Sequence, residues 1–213
     1  AWSGVKNREQ FLKAILGYND HIQSGQQFPL QIDFQDKDGH LWIVGAVGSG
    51  KELTVTSLML SLAATHLPEE AQFYIIEGGS GSLKKLQELP HTGAVVRLAE
   101  KERLERLLAY IGGTIEERQS EGFDSDPRKK GSQPHLFLVI NNFIEFRNTA
   151  FEYLDQANSF IQGGRVGVHL VFVSNLSRDL PGKLASNLAR KLVLQQANSD
   201  EYMNFLPRGT TPL

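Results

Sequence analysis

Apolar positions along the chain fall into short continuous runs, and glycine- and proline-rich turns separate them. LWIVG at 41–45, FYII at 73–76, AVVR at 94–97, LFLVI at 136–140, VHLVFVS at 168–174 and a segment at 191–194 read as strands. Runs of this kind suit strands covered on both faces, as in parallel sheets. Residues 29–34 alternate instead, with Leu30, Ile32 and Phe34 against Gln31 and Asp33. That is a half-buried strand, followed by a DKDG turn at 36–39. Helical spacing appears over 54–65 and most clearly over 99–119. There Leu104, Leu107, Leu108, Ile111 and Ile115 fall on one face, although Gly112 and Gly113 each weaken the helix by about 1 kcal/mol. Further helices are expected at 7–16, ending before Gly17, and near 149–162, with a polar loop at 120–134.

Strands alternating with helices predict an α/β fold with a mostly parallel central sheet and helices on both faces. No internal repeat or low-complexity tract interrupts this order. A chain of 213 residues fits a single domain, with 1–35 as a lead-in helix and strand and 36–213 as the core. Forty per cent of its residues are apolar and 22% charged, as a soluble globule requires. With no cysteine, disulfides and thiolate metal sites are excluded, and the six histidines show no metal-ligand spacing, so no metal site is expected. A net charge of −2 gives no general attraction to nucleic acid or to an anionic membrane. The basic run Arg128-Lys129-Lys130 sits in the polar loop and reads as a solvated surface. No apolar run approaches the roughly 20 residues that span a bilayer, and a cytoplasmic domain is expected. The abrupt start and the RGTTPL finish fit a module excised from a longer chain.

Candidate chemistry centres on GAVGSGKE at 45–52, which follows a strand and opens a helix. Seven of its eight positions match the phosphate-loop pattern G-x-x-x-x-G-K-[ST], and the context agrees. Gly45, Gly48, Ser49 and Gly50 would turn the backbone tightly and aim N–H groups at phosphates. Lys51 would reach the β- and γ-phosphates. At the eighth position, where a hydroxyl normally holds magnesium, stands Glu52. Near phosphates its carboxylate would be repelled by about 4 kcal/mol at 4 Å and an effective dielectric of 20. Alternatively Glu52 pairs with Lys51, favours the helix N-terminus, or ligates magnesium itself.

A second position has changed too. In a working NTPase of this type an apolar strand ends in Asp-Glu, which holds magnesium and activates water. LFLVI ends instead in Asn141 and Asn142, whose amides cannot act as a general base. Glu145 lies just beyond them as a possible substitute. Two changes in one site point to lost hydrolysis.

Several motifs together resemble the FtsK/SpoIIIE-type ATPases, and more closely the ATPase modules of EccC/EssC type VII secretion motors. These are the lead-in QQFPLQIDF, the phosphate loop, Leu89-Pro90-His91-x-Gly93, the long helix, and GGRVGVHLVFVSN. The resemblance covers nearly the whole chain and implies a RecA-like P-loop fold with sites at module interfaces. It adds Arg165 and Asn175 as candidate nucleotide contacts, and ATP as the ligand, with magnesium only where nucleotide binds. His91 and His169 lie in family motifs and are read as structural. Ser174-Asn175 departs from the common Thr-Gln. These departures are those of a degenerate module, regulatory or substrate-docking, that hydrolyses weakly or not at all. The implied partners are neighbouring ATPase modules and the C-terminal signal peptide of a secreted protein. The implied location is the cytoplasmic part of a membrane-anchored bacterial motor. The alternative is an active DNA translocase of the chromosome-partition type, with contact to DNA.

Overall fold

The computed structural model describes residues 11–35, 39–123 and 133–206. Most of the DKDG turn, the middle of the 120–134 loop with its basic run, and the RGTTPL tail lie outside these residues. A six-stranded sheet forms the centre. Its strands are β3 (Leu41–Val44), β4 (Ala71–Glu77), β5 (Thr92–Arg97), β6 (His135–Asn141), β7 (Val168–Ser174) and β8 (Lys191–Val193). They lie in the order β5-β4-β6-β7-β3-β8, and every pairing is parallel.

The continuous apolar runs divide their side chains between two cores. Leu41, Ile43, Phe137, Val139, Val171 and Val173 face one layer, while Trp42, Val44, Leu136, Leu138, Ile140 and Phe172 face the other. With successive residues on opposite faces and both faces buried, neither parity can be polar. The first layer is covered by α1 (Lys51–Thr65), through Val55, Leu58, Met59 and Leu62. The second is covered by α2 (Lys101–Ser120), which buries Leu104, Leu107, Leu108, Ile111 and Ile115 as their spacing predicts. Gly112 has a purpose there, since the Phe160 ring would lie 3.3 Å from any Cβ.

Two expected helices differ. The segment 7–16 is not a helix where it is described: Lys13–His21 is β1, antiparallel to β2 (Gln26–Asp33) in a hairpin. Ala14 pairs with Ile32, and both are buried against the α1 layer together with Leu12 and Phe34. Strand pairing satisfies this backbone, and Leu12 enters it at φ 54°. The single helix near 149–162 is broken into α3 (Phe143–Thr149), α4 (Leu154–Ser159) and 3-10 turns at 151–153 and 160–166. Gly163 lies in the last of these turns. Its backbone presses against Ile115 and Val168, each of which would lie 2.9 Å from a Cβ.

The remaining short helices are α5 (Gly182–Ser186) and α6 (Ser199–Met203). Beyond α6, Phe205 packs edge-on against Trp42 and Tyr202 Oη accepts from the Gln196 N–H, whereas Met203 is exposed. No helix among the described residues is long and apolar enough to cross a membrane.

Candidate functional site

The loop 45–50 joins the C-terminal end of β3 to α1, and the neighbouring strand ends pin it. Gly45 N–H donates to the Ser174 carbonyl and Ala46 N–H to that of Gln195. Gly48 and Gly50 hold φ 83° and 88°, the left-handed region that glycine enters freely. Because Gly50 turns straight into the helix, α1 begins at Lys51, three residues earlier than the apolar spacing indicates. No side chain caps that first turn, so its N–H groups remain available to an anion. Ser49 Oγ is buried beside them with no hydrogen-bond partner among the described residues.

Lys51 is buried and folds back into the loop, donating to the carbonyls of Gly45 (2.8 Å) and Ala46 (2.7 Å). Burial lowers its pKa, against the opposing fields of Glu52 and Asp179. Glu52 sits in the first helical turn, half-buried, where a carboxylate favours the positive end of the helix. Its carboxylate makes no hydrogen bond or ion pair with the described residues.

Strand β7 lies between β3 and β6, so the end of β6 stands roughly 10 Å across the sheet from the loop strand. Asn141 is the last residue of β6 and is buried; its Nδ2 donates to Glu77 Oε1 at 2.8 Å. Asn142 turns the chain at φ 58°, and its Nδ2 donates to the Gly78 carbonyl at 2.8 Å. Both amide orientations follow from these acceptors. Asn175 follows β7 at the same edge, and its main-chain N–H is held by Asp179.

Two buried carboxylates escaped the sequence reading. Glu77 ends β4 and accepts from Gly79 N–H, Leu83 N–H and Asn141. The signal was present, since an acidic residue closes the FYII run ahead of two glycines. Asp179 lies in the turn after β7, accepting from the N–H groups of Asn175 and Leu176 at 2.9 Å. Nothing in the local sequence marks that residue. Glu145 is exposed on α3 and accepts from the Thr149 hydroxyl.

Arg165 does not join this cluster. It is exposed in the 3-10 turn before β7, and the seven residues of that strand, about 20 Å, separate it from the loop end of the sheet. The family-motif histidines tie loops together. His91 Nε2 bonds the His66 carbonyl, and His169 bonds the Gly39 carbonyl and His135.

Chemically, the loop edge can bind phosphate oxygens through main-chain N–H groups, Ser49 and a releasable Lys51. It has no hydroxyl at position 52 and no acidic residue at 141 or 142, and its buried carboxylates are occupied by other donors. The set therefore fits a polyphosphate and does not fit the usual magnesium ligation.

The FtsK/SpoIIIE family matches residues 19–201. The chain is similar to an ESX secretion system protein EccC of Thermomonospora curvata, at 30% identity over 86% of this chain and 15% of that protein. It is also similar to EccCb1 of the ESX-1 secretion system of Mycobacterium tuberculosis, at 27% identity over 92% of this chain and 36% of that protein. Among solved structures, it superposes on ATPases 2 and 3 of Thermomonospora curvata EccC, in complex with a signal sequence peptide. The TM-score is 0.84 at 27% identity, covering 93% of this chain and 39% of that one. The cytoplasmic domain of the same EccC gives 0.86 at 26% identity, covering 98% of this chain and 27% of that one. The chain thus spans well under half the length of each of these relatives.

Proposed function

This chain belongs to the FtsK/SpoIIIE family, and on that premise we propose that it is an ATPase-type module of a type VII secretion motor, binding ATP in a regulatory or substrate-docking role and hydrolysing it weakly or not at all. One observation supports this reading: the glycine loop and Lys51 of the phosphate-loop pattern are in place, while neither a hydroxyl at 52 nor an acid at 141 or 142 accompanies them. In support, Gly48 and Gly50 hold left-handed φ values, Ser49 Oγ is left without a partner among the described residues, and Lys51 lies within the loop. Glu52 replaces the hydroxyl, and Asn141 and Asn142 spend their amide N–H groups on Glu77 and the Gly78 carbonyl.

On nucleotide binding, the Lys51 ammonium leaves the carbonyls of Gly45 and Ala46 for the phosphates, and the first N–H groups of α1 add to it. Among the described residues, Asn141 and Asn142 at the end of β6 offer amides that cannot take a proton from water. Neighbouring modules of the same fold and a secreted protein's signal peptide are the partners in this reading, supported by the structure of ATPases 2 and 3 of EccC in complex with a signal sequence peptide. In this reading the module lies in the cytoplasmic part of a membrane-anchored motor, supported by its likeness to the cytoplasmic domain of a type VII secretion ATPase, EccC.

Calorimetric titration of ATP with magnesium, with turnover measured in the same sample, tests the proposal. The expected result is saturable binding without turnover. Turnover above background sinks the non-hydrolytic role, and turnover stimulated by DNA would favour the translocase. Absence of binding would remove the nucleotide from the proposal, and Glu52→Thr then tests whether the loop recovers.

A further inference from the structure

A second group of charged side chains converges at the far side of the sheet, along β5. We propose that the groove at this edge binds the carboxylate of an acidic, extended peptide segment. The groove has a volume of about 230 Å³ and is lined by Glu77, Gly81, Lys84, Arg97, Glu100 and Arg103. Three elements bring these residues together: the 3-10 turn Ser82–Glu88, the end of β5 and the start of α2. Four strand steps separate β5 from β3, roughly 19 Å, so the groove is distinct from the phosphate loop.

The charges are specific in what they leave free. Arg103 is engaged twice, by Nη1 to Glu100 Oε1 (2.7 Å) and by Nη2 to the Val95 carbonyl (3.3 Å). Glu100 is held ionised, its pKa lowered by the Arg97 N–H and by the Arg103 guanidinium. Glu77 is engaged by three donors. Arg97 touches Glu100 only at 3.7 Å and its side chain is 71% exposed. Lys84 has no ion pair among the described residues. Two cations therefore face the groove with donors to spare. The lining holds three cations (Lys84, Arg97, Arg103) and two carboxylates (Glu77, Glu100), a surplus of one positive charge. That surplus matches a carboxylate, which a guanidinium can take in a two-pronged contact. A nucleic-acid backbone brings a row of charges that this surplus, on a chain of net charge −2, does not match.

The edge itself favours an extended partner. Among the described residues β5 pairs with β4 alone, and no strand of theirs lies on its outer side. The Val95 carbonyl of this strand accepts from Arg103 Nη2, which ties α2 to β5. A peptide lying along this edge would meet cations that read its acidic side chains. The inference rests on the substrate-docking half of the reading above and is independent of the phosphate loop.

Fluorescence polarisation with a labelled peptide of about ten residues, alternating glutamate with valine and threonine, tests it. The peptide is used with a free and with an amidated C-terminus, beside a glutamine-for-glutamate version and a single-stranded DNA of equal charge. Saturable binding to the acidic peptide is expected. Lys84→Glu or Arg97→Glu should weaken it roughly tenfold, and both together more. Loss of binding in the glutamine version assigns side-chain carboxylates, while loss on amidation assigns the terminal one. The proposal is overturned if the acidic peptide does not bind, if charge reversal leaves binding unchanged, or if DNA binds more tightly. Thermal melting checks each variant's fold, and Arg97→Gln stands in should a reversal unfold the chain. ATP titrated on the same samples separates the two readings. Peptide failure with ATP bound overturns the groove alone, and the converse overturns the loop alone.

Discussion

At the scale of single residues, buried polar groups decide both the loop edge and the acid sensitivity of the chain. Asn141 is the partner that a buried Glu77 requires, because its Nδ2 donates where a carboxylate would only repel. Asn141→Asp should therefore destabilise the protein by about 1–3 kcal/mol at neutral pH, read by urea unfolding. The cost should shrink in acid, where one carboxyl of the pair takes a proton. An undiminished stability would mean that the pair does not hold the two strand ends together.

The histidines give a second prediction at this scale. His66 Nε2 accepts the Leu12 N–H, and His169 is enclosed beside His135. Burial lowers both pKa values from 6.5, that of His169 well below it. In the folded state both rings stay neutral, while in the unfolded chain both take protons near 6.5. Their contribution is complete above that pH and is lost as pH falls below it toward the folded values. Each titrating site adds at most about 1.4 kcal/mol per pH unit. Melting temperature should fall from pH 7 to pH 5, and His66→Gln should reduce the slope.

Elements were legible where one periodicity covered the whole of them. The stripe of α2 and the apolar runs of β6 and β7 were readable because packing repeats every few residues in each. The hairpin was not, since residues 13–16 become a strand only by pairing with residues 31–33 and by lying on α1. Phe34 anchors that hairpin, meeting Phe137 at 5.0 Å and His169 at 5.5 Å. Phe34→Ala should cost about 3–5 kcal/mol and expose the 13–33 segment to proteolysis before the rest unfolds. The break after α4 was also hidden. Gly163→Ala should cost about 1–3 kcal/mol in chemical denaturation, because Ile115 and Val168 leave no space for a methyl group.

At the scale of the molecule, protection should follow the sheet order. β6 and β7 lie inside the sheet with every residue buried. Their amides should exchange with solvent slowest of all, whereas residues 18–29 of the hairpin, exposed throughout, should exchange first. Uniform protection across both regions would contradict this separation of a rigid core from a projecting ribbon.

The sequence by itself determined the alternating α/β order, the glycine-rich loop with its lysine, and the residues Glu52, Asn141 and Asn142 at the ends of their elements. Each is written in contiguous residues whose spacing is their physics. Only the tertiary structure decided what surrounds them. It placed Glu77 against Asn141, Asp179 near Lys51, Arg165 at the opposite end of the sheet, and three cations along the edge of β5. These neighbours are distant in sequence, and parallel pairing alone brings strand ends so far apart in the chain to one edge.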